Sequence, residues 1–106
     1  MERFKDILQL TANCEITEIV DGELCRWKYI MIHPEDGNYI LAINCFTHNV
    51  DSLNLSSMKK NYFFIGERDV EFIIREKIRQ KEEILELVKR DIQALHNELK
   101  FYGFKE

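Results

Sequence analysis

The spacing of apolar and polar residues is most regular in the C-terminal third of the chain. Between Asp69 and Gly103, no glycine or proline interrupts a run of helix-favouring residues. Acidic residues stand near its start and Lys100 near its end, which is the order that the helix dipole favours. The pattern predicts one long C-terminal helix over residues 67–103.

Apolar residues recur along this helix at alternate steps of four and three. They define a stripe, called the seam below, made up of Ile74, Ile78, Lys81, Leu85, Val88, Ile92, Leu95, Leu99 and Tyr102. Eight of these nine residues are apolar, whereas composition alone predicts about four. This heptad spacing is typical of a coiled coil. Over four heptads it also fits a helix that packs its stripe on the sheet of its own chain.

The length of the helix favours a partner over the chain's own sheet. At about 1.5 Å per residue, Asp69 to Tyr102 spans roughly 51 Å, whereas a compact body of the first 66 residues measures about 28 Å. Part of the seam therefore extends past the body, and the simplest cover is a second copy of the chain. The flanking charges do not choose a direction, because Lys77 faces the partner's Glu82 in a parallel pair and the partner's Glu98 in an antiparallel pair.

Helical spacing also occurs near the N-terminus, at Phe4, Ile7, Leu8 and Thr11. It predicts a short helix over residues 2–11. Polar residues fill the other side of this segment, as expected for a helix with one buried face.

An alternating pattern follows in residues 14–20 and 24–33 and predicts two strands. Asp21-Gly22 between them is a tight-turn dipeptide, because both residues tolerate positive φ. Closing a hairpin there places Ile16 opposite Trp27 and separates an apolar face from a polar one.

Residues 39–46 are apolar at nearly every position, which predicts a third strand covered on both faces. Residues 47–61 give mixed signals and are assigned to a loop, and residues 62–65 predict a fourth strand that ends at Gly66. The expected fold is α+β in a single domain, residues 1–106. Residues 1–66 supply the short N-terminal helix and a three- to four-stranded antiparallel meander, followed by the long amphipathic helix.

The charge balance narrows the choice of partner. The chain has 15 Lys and Arg against 19 Asp and Glu, a formal net charge of −4. There is no overall excess of cations for a nucleic acid, and the nine cations of residues 67–106 are interspersed with ten anions. No apolar run reaches the roughly 18 to 20 residues of a membrane span, and the first residues lack the apolar stretch of a signal peptide. We therefore expect a cytoplasmic protein with no membrane contact.

Residues that could carry chemistry are few. The three cysteines are widely spaced within apolar stretches, and we expect them to be reduced and buried: Cys14, Cys25 and Cys45. The three histidines have no metal-ligand spacing, and the chain has no phosphate-binding or nucleophile motif. The sequence therefore predicts no catalytic residue, no metal, no cofactor and no small-molecule substrate.

The function that these patterns favour is a non-catalytic protein–protein interaction module. It would self-associate as a homodimer, or dock another protein, through the seam. One alternative is a small phage or mobile-element inhibitor or adaptor that blocks a host protein. A second alternative is a nucleic-acid-binding regulator, which would need salt-dependent affinity in spite of the acidic balance.

Overall fold

The computed structural model describes residues 1–20 and 22–104. Within these residues, the chain is an α+β protein with one six-stranded antiparallel sheet and a long C-terminal helix. The elements are β1 (Glu2–Arg3), β2 (Glu15–Val20), β3 (Glu23–Ile32), β4 (Tyr39–Asn44), β5 (Val50–Asn54), α1 (Leu55–Lys60), β6 (Phe63–Ile65) and α2 (Val70–Phe101). The strand order across the sheet is β1-β6-β2-β3-β4-β5.

The predicted hairpin has the predicted register. Ile16 lies opposite Trp27 in the β2–β3 pair, and Gly22 has a φ of +79°, while Asp21 lies outside the described residues. The meander continues through β4 to β5. The last strand, β6, does not extend it, because β6 inserts between β1 and β2 at the other side of the sheet.

The prediction of a short N-terminal helix was wrong. Glu2–Arg3 form an edge strand against β6, and only Ile7–Gln9 turn, as one turn of 3-10 helix. The side chains of Asp6 and Gln9 close a capping box around this turn. Leu8, expected on the buried face of a helix, is 87% exposed, because the chain stays extended to place Phe4 in the core.

Residues 47–61, predicted to be a loop, contain β5 and α1. The Asn54 side chain, a turn signal in the sequence, caps α1 by accepting a hydrogen bond from the Ser57 backbone N–H at 2.9 Å. Helix α1 then places Met58 in the core. The mixed pattern arose because a strand and a capped helix of one and a half turns follow each other without a break.

The two faces of the sheet are covered by different elements. On the first face, Met58 of α1 packs with Phe4, Ile16 and Ile40 in the main core. On the second face, the start of α2 packs over β2 and β6, where Ile73 joins a smaller core cluster.

Strand β4 is covered on one face only, so the prediction of cover on both faces was wrong. Ile40 and Ala42 are fully buried, whereas Ile43 on the opposite face is 40% exposed. Helix α2 packs over β2 and β6 instead of over this strand. Burial of all three cysteines was also predicted wrongly, because Cys25 is exposed and Cys14 and Cys45 are only half-buried.

Candidate functional site

Helix α2 is attached to the sheet along its first three turns. Its N-terminus is capped by Asp69, whose carboxylate accepts a hydrogen bond from the Phe72 backbone N–H at 3.1 Å. Ile73 is buried one turn further on. The last buried residue of the helix is Gln80, whose side-chain amide donates to the backbone carbonyl of Ile19 at 2.9 Å.

A charged cluster reinforces this attachment. Arg79 donates to both oxygens of the buried Glu76 carboxylate and also pairs with Glu83. The hydrogen bond from Arg79 is the main reason that the pKa of Glu76 lies below its usual value of 4.5, and the same pair raises the pKa of Arg79. The guanidinium of Arg79 also lies over the ring of Tyr62, 5.5 Å from its centroid, and the Tyr62 hydroxyl donates to Glu83 at 3.2 Å.

The seam lies on another side of the same helix. Its first three residues, Ile74, Ile78 and Lys81, lie about 130° around the axis from the buried residues of α2 at the ideal 100° per residue. All nine seam residues are exposed. The eight apolar ones retain between 38% and 65% of their accessible surface. The structure therefore places the seam away from the chain's own sheet, which uses a different face of α2.

Beyond Gln80 the helix leaves the body. Every residue from Lys81 to Phe104 is exposed, so α2 projects by about 30 Å past its last sheet contact. The whole molecule accordingly measures 62 × 32 × 25 Å. The helix spans Val70–Phe101, slightly shorter than the predicted residues 67–103, and Gly103 just beyond its end adopts a φ of +78°.

Two shallow grooves lie along the seam of the projecting helix. The first, called the basic groove below, is lined by Lys77, Ile78, Lys81, Glu82 and Leu85. The second, called the aromatic groove, is lined by Leu95, Glu98, Leu99, Tyr102 and Phe104. Both have apolar floors with charged residues at their margins, as in the holes between seam residues of a coiled coil.

Three of the cations on α2 are held in ion pairs with carboxylates of the same helix. Arg75 pairs with Glu71 at 3.0 Å, and Lys89 lies 3.6 Å from Glu86. Arg79 is held between two carboxylates as described above. These intrahelical pairs are typical of a solvated helix face.

The rest of the described chain contains a surface concavity but no cluster of metal-ligating side chains. Within residues 1–20 and 22–104, no three His, Cys, Asp or Glu side chains come together as a group that could hold a metal ion. A concavity outside α2 lies between β3 and the turn after β4, and includes Cys25, Cys45 and the exposed Phe46. None of the helices in the described part of the chain combines the length and apolar character that a membrane crossing requires.

The sequence identified the seam but missed the residues that attach α2 to the sheet. Glu76 and Gln80 are polar and give no sign of burial in a hydrophobicity pattern. The one available signal was their spacing from Ile73, which follows a second stripe of three- and four-residue steps. Comparison of the chain with protein-family models, with curated proteins and with solved structures gives no match.

Proposed function

We propose that the protein is a non-catalytic interaction module that self-associates through the seam of α2. The observation that carries this proposal is the apolar stripe, interrupted only by Lys81 and exposed on a helix that projects from its own body. Such a stripe in water is stabilised when a second helix covers it.

A second copy of the chain fits this stripe by pattern and by charge. The heptad spacing matches the spacing of an identical helix, and the flanking positions carry both signs, Lys77 and Lys89 against Glu82 and Glu98. A surface that carries both positive and negative charges can be complementary to a second copy of itself, as the symmetric interface of a homodimer requires. The sheet-facing side of α2 is already occupied, so pairing leaves the body undisturbed.

The test is the molar mass in solution, measured by light scattering after size exclusion at several concentrations up to the high micromolar range. We expect the mass of a dimer. A monomer at every concentration would overturn the proposal and favour the alternative of a small inhibitor or adaptor that binds a different protein.

Two leucines provide a matched pair of variants for this measurement. Leu85 lies in the seam and is 50% exposed, whereas Leu87 lies on the other side of the helix and is 58% exposed. Leu85→Glu buries a carboxylate in the contact, so we expect dimer affinity to fall by about 100-fold or more. Leu87→Glu should leave the dimer unchanged. Equal effects of the two substitutions would show that the seam is not the contact.

A further inference from the structure

We propose that the two copies of α2 pair in antiparallel fashion, in a register that lays the basic groove of each copy over the aromatic groove of the other. Ile78 then lies opposite the partner's Tyr102, and Lys81 opposite the partner's Leu99. The inference rests on the proposed self-association and adds its direction and register.

The positions of the two grooves support this register. They are centred about 18 residues apart on one face of α2, so an antiparallel pair with its symmetry axis near Arg90 brings both into contact at once. The basic groove has Lys77, Lys81 and Glu82 at its margin, and the aromatic groove has Glu98. Lys77 and Lys81 of one copy then lie near the partner's Glu98, but Glu82 of the same groove lies level with that carboxylate. The flanking charges therefore do not choose the direction, and the positions of the grooves carry this part of the argument. A parallel pair would place each groove over its own copy.

The sizes of the seam residues also favour an antiparallel pair. In a parallel pair each residue meets its own copy, so Lys81 faces the partner's Lys81 and the small Val88 faces the partner's Val88. Seam residues alternate between two heptad positions, and Lys81, Val88 and Leu95, which are seven residues apart, share one of them. Parallel two-stranded coils favour leucine at that position, where this chain has a single leucine, Leu95.

In the antiparallel register, unlike residues meet. Val88 faces the partner's Ile92, Leu85 faces the partner's Leu95, and each Lys81 is opposed by a leucine. The layers are then more equal in volume, which close packing favours. The axis brings Lys89 near the partner's Lys89, but each of these lysines has Glu86 of its own helix within 3.6 Å, which offsets the repulsion.

Disulfide trapping distinguishes the two directions. The background is the full chain with Cys14→Ala, Cys25→Ser and Cys45→Ser, accepted once circular dichroism and molar mass match those of the unsubstituted chain. Lys77→Cys is mixed with Glu98→Cys, and separately with Glu82→Cys, and one member of each mixture carries a mass tag. The three substituted positions flank the seam on the surface of the helix, so the fold tolerates them. Lys89→Cys alone provides a second measurement, because only the antiparallel register brings this position next to its own copy.

In the mixture of Lys77→Cys with Glu98→Cys, we expect most disulfide-linked dimers to join one tagged and one untagged chain. In the mixture of Lys77→Cys with Glu82→Cys, this species should be minor. Lys89→Cys alone should form a disulfide-linked dimer. Faster trapping in the 77/82 mixture would overturn the antiparallel direction and leave self-association intact. If the cysteine-free chain is a dimer but neither mixture forms the disulfide between unlike chains, the register is overturned. If both the cysteine-free and the unsubstituted chains are monomers, the self-association on which the inference rests is overturned.

Discussion

Replacing Lys81 by leucine should strengthen the dimer. Lys81 lies in the basic groove between Ile78 and Leu85, and it is the single polar residue of the seam. Within a pair its ammonium has to reach solvent past the partner helix, whereas a leucine would fill the layer. Burial of that leucine should stabilise the assembly by about 1 to 2 kcal/mol per copy. Since both copies carry the change, the dissociation constant should fall by about 30- to 700-fold.

Thermal melts at two protein concentrations, together with dilution measured by light scattering, provide the assay. The matched control is Arg90→Leu, which adds the same side chain on the side of α2 opposite the seam. There the leucine stays exposed, so stability should change by less than about 0.5 kcal/mol. A Lys81→Leu protein whose melting temperature neither rises nor depends on concentration would refute the reasoning and leave α2 as an unpaired helix.

Two further predictions concern the body and the attachment of α2. Gly22→Val should destabilise the fold by about 1 kcal/mol or more, because Gly22 has a φ of +79° that a β-branched residue adopts only under strain; an unchanged melting temperature would contradict the tight turn. For Glu76, Arg79 lowers the pKa below the unfolded value near 4.5, so the ionised carboxylate stabilises the fold above that pH, and its contribution is lost as the pH falls through the folded pKa. In denaturant melts, the stability difference between the unsubstituted chain and Glu76→Gln should therefore be largest at neutral pH and narrow below pH 4.5, and a difference that stays constant with pH would argue against the ion pair.

The parts of the fold that the sequence predicted are those specified by local pattern. The β2–β3 register followed from alternation and a turn dipeptide, since a slip of one residue would have mixed the two faces. The length of α2 followed from propensity and from Gly103 at its end. The position of the seam on α2 followed from its period alone.

The parts that were missed depend on distant contacts. The spacing of apolar residues around Phe4 is helical, yet the chain there is extended because it pairs with β6, about 60 residues later in the sequence. The pattern of Val50–Asn54 resembles a loop, and pairing with β4 makes it a strand. Likewise, no local signal in the sequence shows that the Gln80 side-chain amide donates a hydrogen bond to the backbone carbonyl of Ile19. For the proposed interaction surface, the apolar pattern identified the seam residues but did not show which face of α2 packs on the sheet.

Because α2 meets the sheet on one side and presents the seam on another, selection can act on the two surfaces separately. If α2 pairs through the seam as proposed, a substitution at Val88 would alter which helices can pair with it. The contacts of Ile73 would stay unchanged, since side chains this far apart contribute to stability almost additively. The opposite also holds for changes that repack the sheet. Under the proposed self-association, a few seam mutations would change or abolish pairing without destabilising the fold of the body.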